Sequence, residues 1–306
     1  MNTSVLHAAL LSFLGYAIHA FGDAAAKHLT MDGFSLFEVL FIYGLIAMVL
    51  LLIFSPRLGG IKSLLKTRNP KLHLIRAFLF APGAVLNFYA FSKMPLANAY
   101  TVLFMMPFVT TIFASFLLNE KTEFKAWLCI LLGFTGVIVV NRPDLSVVEW
   151  PLLACLTSTL LAGLRNVVAR KMGYEETIFS LSITPCISLL CISVIPTFLY
   201  GSLPDLKSAI IFIFGGLCYA GGVIMISLSF LYKVKLSLLT PYHYTQIIWG
   251  ILLGAVLFGD FPDIYTWIGC AIIIVSGIAL VYVHHPRRIN PLASLPATSA
   301  NNPDVS

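Results

Sequence analysis

Two long stretches carry no charged side chain: LSITPCISLLCISVIPTFLY at residues 181–200 and WIGCAIIIVSGIALVYV at residues 267–283. A helix that crosses a bilayer needs about 20 mostly apolar residues, and both stretches are close to that length. A membrane β-barrel would instead show strands of about ten residues in which apolar and polar side chains alternate. These stretches therefore predict an all-α integral membrane protein.

The composition excludes most other classes of protein. Of the 306 residues, 59% are hydrophobic and only 10% are charged, whereas a soluble domain has about 25% charged residues. A disordered chain would be much poorer in apolar residues. The six cysteines lie within apolar segments and form no CxxC pair, so they predict neither a zinc site nor a disulfide framework. We expect no metal site and no cofactor.

The breaks between apolar segments predict ten spans joined by short connections. Numbered one to ten along the chain, the predicted spans cover residues 5–22, 34–54, 73–92, 96–118, 126–141, 148–169, 177–200, 208–231, 236–257 and 264–283. Residues 290–306 are rich in Pro, Ala, Ser and Asn, a composition that predicts a disordered tail.

The basic residues predict the orientation, because cytoplasmic connections of membrane proteins carry an excess of Lys and Arg. Of the 19 Lys and Arg residues, 13 fall on the side of the even-numbered connections and 4 on the other; Arg76 and Arg165 lie within spans or at their edges. Both termini, and the tail, are therefore expected in the cytoplasm. No basic patch with exposed aromatic residues points to a nucleic-acid partner.

The two halves of the chain share a pattern at a constant offset of 140 residues. Four landmarks coincide in order: Lys93 with Lys233, Leu96 with Leu236, Glu120 with Asp260, and Trp127 with Trp267. The repeat predicts two halves of five spans each, residues 1–141 and residues 142–289. Five is an odd number, so the second half would enter the membrane from the opposite side, as in the inverted repeats of secondary transporters.

Several short motifs in the two halves resemble those of a known family. They are Pro107, Asn119-Glu120-Lys121, Trp127 and Gly133-Phe134-Thr135-Gly136-Val137, echoed by Gly259-Asp260, Trp267 and Gly277. With them the chain resembles the drug/metabolite transporter superfamily, and within it the ten-span EamA-type carriers. The resemblance implies a transporter of the bacterial inner membrane that carries a small molecule across the lipid bilayer; its substrate and oligomeric state stay open.

Further short motifs narrow this resemblance. They are Phe37-Glu38-Val39, His73-Leu74-Ile75-Arg76, Leu118-Asn119-Glu120, Pro241-Tyr242-His243-Tyr244 and Phe261-Pro262-Asp263. They look like those of the S-adenosylmethionine uptake carriers of intracellular bacteria. This chain has Tyr43 and His243 where those carriers have Arg, and related carriers move riboflavin, amino acids or metal-chelating metabolites.

Polar side chains within the spans are the candidates for a substrate pathway, because such groups are costly in lipid unless they face a cavity or a partner. The candidate substrate-binding residues are His19, Arg76, Asn87, Tyr89, Arg165, Asn166, Tyr242, His243, Tyr244, Gln246 and Trp249. Each of these residue types also has a structural alternative. Arginines near span ends snorkel to the headgroups, and histidines hydrogen-bond between helices. Aromatic residues form belts at the membrane interface.

In span one, His19, Asp23 and Lys27 recur every four residues and so share one helix face. Since the span is predicted to end at residue 22, Asp23 and Lys27 are expected near the outer mouth, where a salt-bridged surface stripe is the alternative. His19, Asp23 and His243 are the candidates for proton coupling, because an imidazole titrates near neutral pH.

Span nine holds the densest polar cluster, from Thr240 to Gln246, followed by Trp249. Pro241 in this span and Pro107 in span four each remove a backbone donor, so we expect both helices to bend. Together with Glu120 of the acidic turn, these prolines are assigned structural roles. An aromatic cluster with one amide would suit a flat heteroaromatic ring or an onium centre.

These features favour a secondary transporter that works by alternating access, with substrate held by spans one, three, four, six, eight and nine. A membrane enzyme would need a cluster of catalytic groups, but no HExxH or GxSxG motif occurs and the acids beside the spans are few. A phosphate-binding GxxxxGK[ST] loop is also missing from the sequence. A non-transporting scaffold or receptor is the other class, and it requires no polar cavity.

Overall fold

The computed structural model describes residues 3–67, 69–119, 122–143, 149–172, 176–229 and 242–283. Its described residues are helical throughout and contain no strand, which confirms the all-α prediction. The predicted tail at residues 290–306, Glu120 and Pro241 lie outside the described residues.

Eleven helices are described in chain order. Those of the first half are α1 (Thr3–Met31), α2 (Leu36–Leu58), α3 (Pro70–Lys93), α4 (Leu96–Leu103), α5 (Met106–Leu117) and α6 (Phe124–Asn141), with a 3₁₀ turn at Ile61–Lys66 after α2. Those of the second half are α7 (Trp150–Met172), α8 (Ile178–Tyr200), α9 (Leu206–Ser229), α10 (Thr245–Leu253) and α11 (Ile264–Val283).

The helices form a ten-helix membrane protein, as predicted. Within the described parts of the chain, nine segments are long and apolar enough to cross a bilayer; α4 and α5 together form one of them, Leu96–Leu117. A tenth, shorter apolar segment, Thr245–Phe258, consists of α10 and a π-helical turn at Gly254–Phe258. It corresponds to predicted span nine, whose first residues lie outside the described ranges.

The first helix is longer than predicted. It continues to Met31 instead of ending near residue 22, because no proline or glycine follows Gly22 until Gly33, and the alanines at positions 24–26 favour helix. Asp23 and Lys27 therefore lie within the helix and are buried: only 2% of Asp23 and 6% of Lys27 is exposed.

The N-terminus of α2 is fixed by a capping box. The Ser35 hydroxyl accepts from the backbone N–H of Phe37, and Oε2 of Glu38 accepts from the backbone N–H of Ser35 at 2.6 Å. Such reciprocal bonds satisfy donors that a helix start leaves unpaired. The other oxygen of Glu38 accepts from the backbone N–H of Ser202 at 2.6 Å, so this acid also joins the start of α2 to the end of α8.

Span four is interrupted near its middle. Helix α4 ends at Leu103, a turn occupies Phe104 and Met105, and α5 begins at Met106 with Pro107 in its first turn. A proline fits the first turn of a helix because the N–H groups there have no partner within the helix. A comparable turn at Tyr244 precedes α10.

The main helix contacts run between the two halves of the chain. Helix α1 packs on α9, α3 on α7, α2 on α8, and α6 on α11. Glycines allow two of these pairs to approach closely: a Cβ at Gly222 would lie 2.7 Å from the carbonyl oxygen of Gly15, and one at Gly269 would lie 2.6 Å from that of Gly136. Small residues at helix crossings are common in membrane proteins, where close packing drives association.

Candidate functional site

A cavity of about 410 Å³ lies within the bundle. Its walls come from α1, α2, α3, α4, α5, α7, α8, α9 and the start of α10, whereas no described residue of α6 or α11 lines it. The predicted spans one, three, four, six, eight and nine all contribute, together with spans two and seven. The charged and strongly polar side chains in its lining are His19, Asp23, Arg76, Asn87, Arg165, Asn166, His243 and Gln246.

Asp23 is the buried acid of this cavity. Its Oδ2 accepts a hydrogen bond from the Tyr100 hydroxyl at 2.8 Å and lies 3.3 Å from Nδ1 of His19. Its Oδ1 is buried and has no hydrogen-bond partner among the described residues. An unsatisfied buried oxygen costs about 1–3 kcal/mol, so the geometry leaves one carboxylate oxygen available to a donor within the cavity.

The two histidines of the cavity come from different halves of the chain. Gln246 places Nε2 at 3.3 Å from Nδ1 of His19. The ring of His243 stacks on Tyr16 with centroids 4.8 Å apart and meets Phe104 edge-on at 4.9 Å. Aromatic contacts on two sides fix the orientation of the His243 ring while leaving it in the cavity lining.

Two guanidinium groups face the same cavity. Arg76 is buried, and its Nη2 lies 3.4 Å from the carbonyl oxygen of Leu181, whereas Nε and Nη1 are buried without a partner in the described structure. The guanidinium carbon of Arg165 lies 5.1 Å from the ring centroid of Phe80. Both arginines point inward from α3 and α7, although snorkelling to the headgroups was an open alternative.

Two amides complete the polar lining. Asn166 points its Nδ2 toward Oγ1 of Thr110 at 3.5 Å, and Asn87 has a buried Oδ1 with no partner among described residues. The structure thus brings Arg76, Asn87 and Asn166 into one cavity with the histidines and Asp23.

Four of the predicted binding residues do not line the cavity: Tyr89, Tyr242, Tyr244 and Trp249. The ring of Trp249 lies 6.4 Å from Phe13 and 6.0 Å from Phe21, so it packs on α1. The hydroxyl of Tyr244 reaches the Cα of Gly277 on α11, where no Cβ could be added. The predicted aromatic cluster of span nine is therefore divided between helix packing and the cavity.

Sequence reasoning did not identify Tyr100, which donates to Asp23, or Tyr219, whose ring lies 4.8 Å from that of His19. A polar atom within an apolar span was the available signal for both. A salt-bridged stripe with Asp23 was an alternative for Lys27, but its Nζ lies 2.9 Å from Oδ2 of Asp260, in the other half of the chain.

The connection after α7 is tied to the start of α3 by Glu176. One carboxylate oxygen accepts from the Thr67 hydroxyl; the other accepts from Ser180 at 2.9 Å and lies 3.1 Å from Nε2 of His73. Burial by itself would raise the pKa of Glu176, but the hydrogen bonds from Thr67, His73 and Ser180 outweigh it and lower the pKa below the usual value. This contact lies beside the cavity, since Leu181 and Arg76 belong to its lining.

Comparison with known proteins shows which proteins this chain is similar to. The model of the EamA-like transporter family matches residues 6–142. The resemblance to EamA-type carriers is confirmed. The chain is 26% identical to the S-adenosylmethionine uptake transporters of Rickettsia prowazekii, over 89% of this chain and 90% of that protein, and of Rickettsia bellii, over 80% and 84%.

A relative that is named for another substrate is also similar to this chain. The riboflavin transporter of Rhizobium johnstonii is 23% identical, over 78% of each chain. One solved structure, described only as the crystal structure of a protein, superposes with a TM-score of 0.61 at 17% identity, over 89% of this chain and 95% of that one. This likeness supports the all-helical fold alone.

Proposed function

We propose that this EamA-like protein is a secondary transporter that moves a small polar metabolite across the bacterial inner membrane by alternating access. The observation that carries the proposal is the cavity, which is enclosed by membrane-spanning helices of both halves and lined by buried charged side chains. Lipid-facing helices need no such groups, and ionisable residues inside a membrane protein commonly mark a pathway. A packed scaffold or receptor gives no reason for them.

We propose further that residues 1–141 and residues 142–289 are inverted repeats. The helix contacts support this: when each span is exchanged for its counterpart in the other half, the pair α1 and α9 becomes the pair α7 and α3, and both pairs are in contact. The contacting pairs α2 with α8 and α6 with α11 each consist of two counterparts, so the exchange leaves them unchanged. Transporters of this plan hold their substrate between the repeats and rock around it.

Within the cavity, His19, Arg76, Asn87, Arg165, Asn166, His243 and Gln246 are the proposed substrate-binding residues. His19, Asp23 and His243 are the proposed proton-coupling residues, because an imidazole and a carboxylate at 3.3 Å can exchange a proton with each other and with the cavity. Asp23 and His19 belong to the first half and His243 to the second, so a change in their spacing would accompany any movement of the halves.

The relatives supply the candidate substrates. S-adenosylmethionine is the first, since the Rickettsia proteins of that name align over most of the chain. Riboflavin is the second, from the Rhizobium johnstonii transporter; amino acids and metal-chelating metabolites are the remaining alternatives. We propose that both termini lie in the cytoplasm, as the excess of Lys and Arg on the even-numbered connections indicates.

Uptake into proteoliposomes tests this function. Purified protein is reconstituted, and entry of radiolabelled S-adenosylmethionine, riboflavin and amino acids is followed with and without a pH gradient. Asp23→Asn should abolish uptake of the transported compound, whereas Asp32→Asn should retain it, because Asp32 is an exposed acid at the end of the same helix. Equal uptake by liposomes with and without protein, for every compound, would contradict the proposal.

A further inference from the structure

The polar groups of the cavity are separated into two ends. Arg76 lies near the start of α3 and Asn87 lies eleven residues later, and both line the cavity. At 1.5 Å per helical residue, they are separated by roughly 16 Å along the helix axis. The cavity is therefore elongated along the spans, and its two ends differ in chemistry.

Two arginines define the first end. Arg76 is 7% exposed, and two of its buried nitrogens have no partner among the described residues. Arg165 lines the same cavity from α7. The nearest acid, Glu176, directs both oxygens at Thr67, His73 and Ser180. No acid in the described cavity lining lies on α3 or α7 with these two arginines. Guanidinium groups bind carboxylate and phosphate in a forked geometry, so two of them in one cavity can form an anion site.

Two oxygens define the second end. Oδ1 of Asp23 and Oδ1 of Asn87 are both buried and have no partner among the described residues. A chain of contacts connects the two residues: the Tyr100 hydroxyl donates to Asp23, the Tyr100 ring meets Phe91 at 5.5 Å, and Phe91 lies one helical turn from Asn87 on α3. Two unpaired acceptors require donors, such as an amine or a ring N–H.

We infer that the substrate is an elongated metabolite with an anionic head, carboxylate or phosphate, at Arg76 and Arg165, and a nitrogen donor at Asp23 and Asn87. This deepens the proposed function and rests on it. Among the lining residues the structure describes, two guanidinium groups face one carboxylate, so with neutral imidazoles the site is net positive. It therefore favours a compound with an anionic group over the same shape without one.

Two matched pairs of compounds test the inference. S-adenosylhomocysteine and 5′-methylthioadenosine share the adenosine part but only the first has a carboxylate; flavin mononucleotide and riboflavin differ by one phosphate. Binding to the full chain in nanodiscs is measured by calorimetry. In at least one pair the member with the carboxylate or phosphate should bind roughly tenfold more tightly, a difference of about 1.4 kcal/mol.

Substitutions in the cavity show which side chains cause the preference for the carboxylate or phosphate. Arg76→Gln and Arg165→Gln should abolish the difference within a pair, whereas Asp23→Asn should weaken both members equally. Arg165→Lys, which keeps the charge, should retain part of the preference if the glutamine variant does not fold. Arg142→Gln is the matched control, because Arg142 is an exposed arginine outside the cavity, and it should bind all four compounds as the unsubstituted chain does.

Three results would overturn the inference: no preference for the anionic members, a preference that survives both glutamine variants, or no binding of any of the four compounds. Uptake into proteoliposomes distinguishes a wrong substrate inference from a wrong transporter function. If a compound without an anionic head is transported and its uptake depends on Asp23, the protein is a transporter and only the assignment of the arginine end is wrong.

Discussion

Nζ of Lys27 lies 2.9 Å from Oδ2 of Asp260 and 3.0 Å from the carbonyl oxygen of Met94. It also lies 4.6 Å from the ring centroid of Phe258. One buried ammonium group therefore joins α1 of the first half to the connection between α10 and α11 of the second. Arg142 and Asp263 form a second ion pair on the same side of the bundle, but 54% and 39% of their side chains are exposed.

The difference in burial predicts different contributions to stability. Lys27→Met should lower the free energy of unfolding by about 1–3 kcal/mol, since it leaves a partly buried Asp260 without its partner. Arg142→Met should cost about 0–1 kcal/mol, as is usual for an exposed pair. Thermal unfolding in nanodiscs measures both. Equal effects of the two substitutions would show that burial does not set the strength of these pairs.

Adjacent glycines on α9 predict opposite outcomes for alanine. A Cβ at Gly222 would lie 2.7 Å from the carbonyl oxygen of Gly15 and 2.9 Å from the backbone nitrogen of His19, whereas one at Gly221 would meet nothing within 4 Å. Gly222→Ala should therefore separate α1 from α9, lower the melting temperature and displace His19 in the cavity. Gly221→Ala should be neutral or slightly stabilising, because alanine favours helix by about 1 kcal/mol over glycine. A neutral Gly222→Ala would be inconsistent with this crossing.

His243 and Tyr242 are neighbours in sequence but differ in position. His243 lines the cavity, whereas Tyr242 does not. We expect His243→Ala to abolish uptake and Tyr242→Ala to keep more than about half of it, since removing a side chain outside the site costs little. Initial uptake rates in proteoliposomes measure both. Equal losses in two well-folded variants would place the pathway elsewhere.

A proton-dependent phenotype is predicted for His19. If it exchanges a proton with Asp23 during transport, His19→Ala should flatten the dependence of the uptake rate on pH between about 5.5 and 8, the range in which an imidazole titrates. The measurement is uptake at a series of external pH values at fixed substrate concentration. A profile that matches that of the unsubstituted protein would remove His19 from the coupling.

The Glu176 contact predicts acid sensitivity. Because its pKa is lowered in the folded state, the ionised carboxylate stabilises the protein above the ordinary glutamate value of about 4.3, and this contribution is lost as the pH falls through the lowered value. The melting temperatures of the unsubstituted chain and of Glu176→Gln should therefore differ near pH 7 and converge below about pH 4. Glu123→Gln, at an exposed acid, should show no such pH-dependent difference. Among the described residues, His73 and Arg76 are the titratable groups that face Glu176.

Much of the fold followed from the sequence, because lipid demands long apolar helices. Charge-free runs fixed where most spans lie, and Asp23 and Arg76 were recognisable because charges in such runs are rare. The end of α1 was misplaced because Asp23 and Lys27 resembled a helix boundary. Their partners become known only from the fold: Tyr100 bonds Asp23 from 77 positions away, and Asp260 pairs with Lys27 from 233 positions away.

The composition of the cavity was less predictable. Tyr and Trp occur both in binding clusters and in helix packing. A sequence does not reveal that the rings of Tyr244 and Trp249 pack on neighbouring helices. Spans two and seven were not expected to line the cavity, since their segments there, around Ala47 and Cys186, carry no charge. The direction in which a helix faces depends on its neighbours, and one sequence without contacts contains little of that information.

Alternating access makes a cavity side chain reachable from both faces of the membrane, and native cysteines allow this to be measured. Cys186 lines the cavity, whereas Cys155 is fully buried away from it. A small membrane-impermeant methanethiosulfonate reagent is applied to right-side-out and to inside-out vesicles, and modification of each cysteine is followed by mass spectrometry. Our account predicts that Cys186 reacts from both sides and Cys155 from neither. Modification of Cys186 from one side only, in the presence and absence of transported substrate, would contradict it.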